Sequence, residues 1–204
     1  MEMKKDFYEL YNNFAKRAEE KNRYFRERLI NSELSFDSKE MLSLVVSEGL
    51  MEDIEVIEKL QKEEFSNRYI DFIIRNMSEQ VIEYLYIMKN PGLIKEYFGA
   101  KLDDDWNGKN SFDGLRRTGA TRFEDRKKVG TMAKAIGEKK AVDGKIPLYE
   151  IFSLKAELEH HSYFHYMLDV LYYSGNRSES KDELDYIFLR DILRAFIKVY
   201  DTIQ

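Results

Sequence analysis

The 204-residue sequence contains no cysteine, only two prolines and a single tryptophan. Without cysteine, the chain cannot form disulfide bonds, thiolate metal sites or a cysteine nucleophile. No apolar run approaches the roughly 18 residues of a membrane-spanning helix, and the first residues lack the apolar core of a secretory signal peptide. We therefore expect a soluble, cytoplasmic protein with no membrane partner.

The composition is that of a folded protein with a slight excess of acidic groups. Hydrophobic residues make up 43% of the chain, with 14 Tyr and 13 Phe, and this excludes an intrinsically disordered protein. The 33 basic and 38 acidic residues give a net charge of −5. This charge disfavours coating by nucleic acid over the whole surface but leaves room for a local basic patch. The length predicts one domain spanning residues 1–204.

Glycine and proline are nearly absent outside the segment 99–147. Long helices require this scarcity, because each of these residues costs about 1–3 kcal/mol in a helix interior. Strand-like alternation is also absent, so we predict an all-α antiparallel bundle of five main helices. The helices are predicted near residues 3–30, 38–62, 64–89, 147–173 and 180–202. Capping boxes at Asp37 with Glu40 and at Ser180 with Glu183 are predicted to start the second and last helices.

The segment 100–146 differs from the rest of the chain. Residues 99–147 hold seven of the ten glycines, and their 12 Lys and Arg outnumber their 8 Asp and Glu. About 49 residues is long for a connection without structure of its own. We predict a flexible, basic insertion or excursion from the bundle, in which residues 121–139 can form a helix interrupted at Gly130.

An acidic run in this segment resembles a calcium-binding loop. Asp103, Asp105 and Asn107 occupy the first, third and fifth positions of an EF-hand loop, and Gly108 occupies the sixth. Gly114 stands at the twelfth position, where a bidentate glutamate is required. We therefore expect an acidic turn and no bound cofactor.

The three histidines of the chain lie within six residues, at positions 160, 161 and 165. Helical spacing predicts one stripe that contains Ile151, Leu154, Leu158, His161, His165, Leu168 and Tyr172. His161 and His165 would then occupy positions where core leucines are expected, while His160 points to the side. Buried imidazoles need polar partners, so this stripe is predicted to meet carboxylates, hydroxyls or a metal ion.

Three interpretations of this histidine face remain open. Glu157, His161 and His165 have the spacing of half a metal site, although the chain contains no second Glu-x-x-His motif for a di-iron centre. A histidine in a cleft can instead act as a general base. The simplest interpretation is a pair of core histidines that bind tyrosines or carboxylates of neighbouring helices.

Cationic side chains provide candidate phosphate contacts. The basic cluster of the insertion consists of Arg116, Arg117, Arg122, Arg126, Lys127 and Lys128. It predicts either RNA contact or only a solvated face. Arg75 and Glu79, one helical turn apart, are either an active-site ion pair or an ordinary pair on a helix surface.

Several of these residues form a pattern that resembles a bacterial family of uncharacterised helical proteins. The family has an Arg-x-x-x-Glu helix, a loop with tryptophan, and a closing helix with tyrosine, serine and histidine. The matching residues here are Arg75, Glu79, Trp106, Ser111, Tyr149, Ser153, His161 and Ser162. In the closing helix, Glu157 stands where the family has a histidine.

The sequence also resembles, more distantly, the HEPN domains, whose signature is an arginine followed four to six residues later by a histidine. Lys155 stands at the position of the arginine here, followed by His160 or His161. The resemblance implies that one of these histidines acts as a base toward a ribose 2′-hydroxyl, with Lys155 holding the phosphate and Glu157 close by. It also implies a homodimer.

The resulting hypothesis is an HEPN-like helical protein of a bacterial defence, toxin or regulatory system that acts on RNA. Two alternatives remain: a non-catalytic bundle that binds a protein or RNA partner, and a metal-binding bundle that uses His161 and His165.

Overall fold

The computed structural model of the protein describes residues 2–35, 37–62, 67–97, 127–141, 145–160 and 179–204. These residues form helices and contain no β-strand, which confirms the predicted all-α fold. The helices are α1 (Glu2–Ile30), α2 (Lys39–Lys62), α3 (Asn67–Lys89), α4 (Ile94–Tyr97), α5 (Val129–Ile136), α6 (Leu148–His160) and α7 (Glu179–Tyr200), with a 3-10 turn (Pro91–Leu93) before α4. None of the helices in these segments is long and apolar enough to cross a membrane.

Four of the five predicted main helices match α1, α2, α3 and α7 to within three residues at each end. The fifth, predicted at 147–173, corresponds to α6 up to His160, and residues 161–173 lie outside the described residues. Both predicted capping boxes need correction. Ser38, and not Asp37, caps α2, because its hydroxyl oxygen accepts the backbone N–H of Met41 at 3.1 Å. Helix α7 already begins at Glu179, one residue before the predicted cap Ser180.

Helix α3 lies at the centre of the fold, in contact with α2, α5, α6 and α7. Its apolar residues recur at helical spacing over a broad face, and many of them are fully buried. The apolar residues of α3 with an exposure of at most 1% are Ile70, Ile74, Met77, Val81, Ile82, Tyr84 and Ile87. Helix α1 completes the bundle by packing against α2 and α7. Because four helices contact α3, much of its surface faces a neighbouring helix or a groove between neighbours, although Tyr69 and Phe72 are exposed.

One end of the bundle contains a buried, uncharged hydrogen-bond network formed by Asn22, Ser47 and Tyr200, which we call the neutral network. The amide nitrogen of Asn22 donates to Ser47 Oγ at 2.9 Å, and the Tyr200 hydroxyl donates to Asn22 Oδ1 at 2.9 Å. Burial raises the pKa of Tyr200 to about 12, so the phenol is neutral at physiological pH. The rings of Phe14 and Phe196 pack on Tyr200 with centroids 5.6 and 5.2 Å away. The network therefore joins α1, α2 and α7 without any charge.

The last part of the predicted insertion belongs to the packed bundle. Helix α5 buries Met132 and Ala133 completely in the core and packs against α3. Gly137 ends α5 in the left-handed region, at φ +85°, where its lack of a Cβ avoids strain. Gly130 lies inside α5 and does not interrupt it. The prediction of a flexible excursion over 100–146 is therefore wrong for α5, which is packed in the core. Residues 98–126 lie outside the described residues.

The buried stripe of α6 is shifted from its predicted position. Leu148, Ile151 and Lys155 are buried, whereas Leu154, predicted to lie in the stripe, is 38% exposed. The buried residues have i, i+3, i+7 spacing, so the pattern is still that of an amphipathic helix. The predicted stripe included Leu154 and omitted Lys155, so it was rotated relative to the buried one. Leucine belongs in a core by hydrophobicity, and an isolated lysine does not.

Candidate functional site

Lys155 lies in the interior of the bundle, with a relative exposure of 1%. Its ammonium group contacts Asp71 Oδ1 at 2.5 Å and Asp185 Oδ1 at 2.6 Å. Its Nζ also lies 5.3 Å from the centroid of the Phe188 ring. We call Asp71, Lys155 and Asp185 the ion triad; it joins α3, α6 and α7 at a single buried point.

This environment bears directly on the phosphate-binding role that the HEPN resemblance implies for Lys155. Both acidic partners are themselves buried, so the ammonium group is enclosed by carboxylates and by packed side chains. A phosphate could reach the lysine only after the carboxylates had moved, and it would be repelled by them. The observed contacts are those of a structural cation that holds three helices together.

Of the other predicted catalytic residues, Glu157 alone has a described side chain. Glu157 is an exposed residue of α6. His160 ends the described part of α6, and its side chain lies outside the described residues, as do His161 and His165. Within the described segments, no three His, Asp or Glu side chains converge as metal ligands do. The roles predicted for His160, His161 and Glu157, catalytic or metal-binding, therefore stay predictions.

Three of the predicted phosphate-binding residues do come together. Arg75, Lys127 and Lys128 line an open groove of about 470 Å³ between α3, α5 and α6. The remaining lining residues are Glu79, Val129, Gly130, Tyr149 and Phe152. We call this cavity the basic groove. The other predicted phosphate-binding residues, Arg116, Arg117 and Arg122, lie outside the described residues.

Arg75 is held in the groove by contacts on both sides of its guanidinium group. The centre of the guanidinium lies 5.1 Å from the centroid of the Phe152 ring, a cation–π distance. Its Nη2 lies 3.7 Å from Glu79 Oε2, so the predicted Arg75–Glu79 pair is present. Both side chains of the pair are mostly covered, with exposures of 24% and 15%. The pair therefore lies inside the groove wall and is not an ordinary solvent-exposed helix pair.

Tyr149 forms the opposite wall of the groove because Gly130 leaves room for its ring. A Cβ at position 130 would lie 2.9 Å from Tyr149 Cε2, closer than atoms of packed side chains approach. The Tyr149 and Phe152 rings, one turn apart on α6, have centroids 6.1 Å apart and an interplanar angle of 28°. Gly130 thus has a steric function here: it allows the start of α5 to contact an aromatic ring.

A short corner between α5 and α6 fixes the position of Tyr149. The Glu138 carboxylate accepts a hydrogen bond from Lys145 Nζ at 2.6 Å and one from the backbone N–H of Leu148 at 3.3 Å. The backbone N–H of Tyr149 donates to the Glu138 carbonyl at 3.1 Å. Glu138 therefore caps the start of α6 through its side chain and its backbone together.

The same corner is tied to the rest of the bundle at two further points. The buried carboxylate of Asp191 on α7 accepts the backbone N–H of Ile146 at 3.0 Å. Lys89, at the end of α3, donates to the carbonyl of Ala135 in the last turn of α5 at 2.8 Å. These bonds position the groove walls against α3, which carries Arg75 and Glu79.

Sequence reasoning identified the cations of the groove but missed the residues that shape it. Phe152, Glu138 and Asp191 carry no motif, and their roles depend on helices brought together from distant parts of the chain. Asp71 and Asp185 were missed as well. A detectable signal existed for Asp185, which lies one turn before the apolar pair Phe188 and Leu189 of α7.

No protein-family model matches the chain, and neither a curated protein nor a solved structure matches it.

Proposed function

We propose that this chain is an HEPN-like helical protein of a bacterial defence, toxin or regulatory system, and that it binds single-stranded RNA in the basic groove. One observation carries the proposal. Three cationic side chains and two aromatic rings surround a single open groove on a protein whose net charge is −5.

This combination of groups suits single-stranded nucleic acid. Lysine and arginine side chains bind backbone phosphates, and aromatic rings offer stacking surfaces that accept any base. Lys127 and Lys128 are exposed lining residues of the groove. Arg75 lies deeper, against Phe152, where a planar guanidinium can contact a phosphate through two parallel hydrogen bonds.

The proposal assigns RNA binding, and not RNA cleavage, to the described residues. The ammonium group of Lys155 is enclosed by the carboxylates of the ion triad, and none of the eight described residues that line the groove is a histidine. Cleavage that depends on His160, His161 or Glu157 is a separate proposal. It is tested by incubating RNA with the protein and comparing wild type with His161→Ala on a denaturing gel.

The binding proposal is tested by fluorescence anisotropy with a labelled, unstructured ten-nucleotide RNA. The double variant Lys127→Ala/Lys128→Ala should weaken binding at least about tenfold at low salt, and it should flatten the dependence of log K on log salt by about 1.4 for two lost phosphate contacts. The matched control is Lys4→Ala/Lys5→Ala. It removes the same charge from adjacent exposed positions of α1, which does not line the groove.

Equal loss in both double variants would show that only net charge matters, and would contradict binding in the groove. Failure of the wild-type protein to bind RNA at micromolar concentration would reject the proposed function itself.

The second candidate function is that of a non-catalytic helical bundle that binds a partner, such as a second copy of this chain in a homodimer. It is favoured by exposed apolar side chains on each of the helices that meet at the ion triad, namely Phe72, Leu154 and Leu184. Light scattering after gel filtration should give the mass of a dimer, and Phe72→Ser combined with Leu154→Ser should restore a monomer. A wild-type monomer at 100 μM would reject this candidate.

A further inference from the structure

Positive charge around the basic groove extends beyond its eight described lining residues. The described segment 127–141 contains five lysines and a single acidic residue, Glu138. The Glu138 carboxylate is paired with Lys145 at 2.6 Å and also accepts the backbone N–H of Leu148. The one carboxylate of the segment therefore neutralises a lysine outside it, and this side of the groove stays strongly cationic.

Lys139, just after the end of α5, lies against one wall of the groove. Its Nζ is 5.3 Å from the centroid of the Tyr149 ring, a cation–π distance. The hydroxyl end of the same ring contacts Gly130 in the first turn of α5, close in sequence to Lys127 and Lys128. Lys139 does not line the groove itself, but the Tyr149 ring connects its charge with the groove.

Two cations that do line the groove are held against aromatic rings in the same way. The guanidinium centre of Arg75 lies 5.1 Å from the Phe152 centroid, and Lys127 Nζ lies 5.8 Å from the Tyr86 centroid. A ring contact limits the motion of a long cationic side chain, so less conformational entropy is lost when that side chain binds a phosphate. Lys139 therefore shares the arrangement of the cations to which phosphate binding is already assigned.

We infer that Lys139 is a further RNA-binding residue, which contacts a backbone phosphate of its own where the strand leaves the groove beside Tyr149. This inference rests on the proposed function. Lys139 is exposed, so a phosphate can reach it, and lysine binds phosphate as a point charge without a fixed geometry. An RNA strand carries a phosphate at every nucleotide, so a strand that occupies the groove presents further phosphates outside it.

The test extends the anisotropy titrations with the ten-nucleotide RNA to Lys139→Ala at several salt concentrations. One lost phosphate contact should lower the slope of log K against log salt by about 0.7 and weaken binding about two- to fivefold at low salt. Lys139→Arg keeps the charge and should bind within about twofold of the wild type. The matched control is Lys198→Ala, which removes the same charge from an exposed position of α7, a helix without lining residues.

A phosphate contact of its own also predicts that the effect of Lys139 adds to that of the groove lysines. The triple variant Lys127→Ala/Lys128→Ala/Lys139→Ala should flatten the salt dependence by about 2.1, compared with about 1.4 for the double variant. Equal slopes for the triple and the double variant would show that Lys139 neutralises no further phosphate, and would overturn the inference.

Lysine acetylation followed by mass spectrometry locates the contact without any substitution. A saturating concentration of the RNA should slow the acetylation of Lys139 at least about threefold and leave that of Lys198 unchanged. Unchanged acetylation of Lys139 in the complex would overturn the inference, because a lysine that binds a phosphate is covered by it.

The outcomes separate this inference from the function on which it rests. Equal losses of affinity in Lys139→Ala and Lys198→Ala would show that only net charge matters, and would overturn the inference. The proposed function still stands in that case if Lys127→Ala/Lys128→Ala weakens binding more than its own control does. If the wild-type protein binds no RNA, both the proposed function and this inference are rejected.

Discussion

The ion triad lies near the start of α7 and the neutral network near its end, and the two clusters connect helices through different kinds of polar side chain. Both bury polar side chains and both join three helices, but Asp71, Lys155 and Asp185 are charged whereas Asn22, Ser47 and Tyr200 are not. In the neutral network, deletion of the Tyr200 hydroxyl removes one hydrogen bond and leaves no charge without its partner. In the ion triad the lysine is the shared partner of two carboxylates, so its deletion leaves two like charges in the interior.

The comparison teaches that burial alone does not determine how much a polar residue matters for stability. A hydrogen bond between neutral groups stabilises the folded state by only about 1 kcal/mol, because in the unfolded chain the same groups form hydrogen bonds with water. Breaking a buried ion pair by removing one partner costs about 3–5 kcal/mol, although the intact pair adds little net stability. The ion triad is thus compatible with a stable fold when all three members are present or all three are replaced, but not when one is removed.

The largest effect is expected for Lys155→Met. Methionine fills a similar volume, but it leaves Asp71 and Asp185 without their shared cation. We expect a loss of about 3–5 kcal/mol in the free energy of unfolding, measured by urea denaturation. A loss below about 1 kcal/mol would show that solvent reaches the two carboxylates, and would remove the distinction between the two clusters.

The control for this prediction replaces all members of the triad together. Asp71→Leu/Lys155→Met/Asp185→Leu exchanges three charges for apolar side chains, and such exchanges are often neutral or stabilising. The triple variant should therefore recover most of the stability that Lys155→Met alone loses. A triple variant less stable than the single one would mean that packing, and not charge, causes the loss.

A smaller effect is expected for Tyr200→Phe in the neutral network. The change removes the hydrogen bond from the Tyr200 hydroxyl to Asn22 Oδ1 but keeps the ring contacts with Phe14 and Phe196. We expect a loss of about 1 kcal/mol, within the range of about 0.5–1.5, in the same urea experiment. A loss above about 3 kcal/mol would place this cluster in the same class as the ion triad.

The smallest effect concerns Asp53, an acidic residue of α2 outside both clusters. Burial, helped by the nearby Glu52, raises the pKa of Asp53 to about 6. The folded state therefore favours the protonated acid: this stabilisation is complete below about pH 4 and is lost as the pH rises through about 6. Because solvent partly screens the group, Asp53→Asn should stabilise the protein by no more than about 1 kcal/mol at pH 7.

The test of this sign is the difference in unfolding free energy between Asp53→Asn and the wild type at pH 4 and pH 7. The advantage of the variant should be larger at pH 7. A larger stability advantage of Asp53→Asn at pH 4 would show that folding lowers the pKa of Asp53 instead of raising it.

Much of the fold could be predicted from the sequence because helix signals are local. The scarcity of glycine and proline located α1, α2, α3 and α7, since both residues act on the chain where they stand. The packing of α5 was not predicted: the sequence indicated a helix over 121–139 interrupted at Gly130, but not its stabilisation by the burial of Met132 and Ala133 against α3. Eight residues carry too little local signal to show that such a partner exists.

The candidate site was predictable only in part for the same reason. Cations such as Arg75 and Lys128 are visible as charges in the sequence, but their meeting depends on helices more than 50 residues apart. The omission of Lys155 from the predicted buried stripe of α6 has another origin. Hydrophobicity assigns lysine to the surface, and only its contacts with Asp71 and Asp185 make burial favourable.

Helix α5 has one further consequence, which concerns its amide hydrogens. A helix of eight residues does not form in isolation, so α5 persists only while the burial of Met132 and Ala133 and the bond from Lys89 to Ala135 keep it docked on α3. Undocking would dismantle one wall of the basic groove and expose the α5 amides to deuterium exchange in a single event. Occupancy of the groove and protection of these amides are therefore linked quantities, and a ligand at one hundred times its Kd would slow this exchange by about two orders of magnitude.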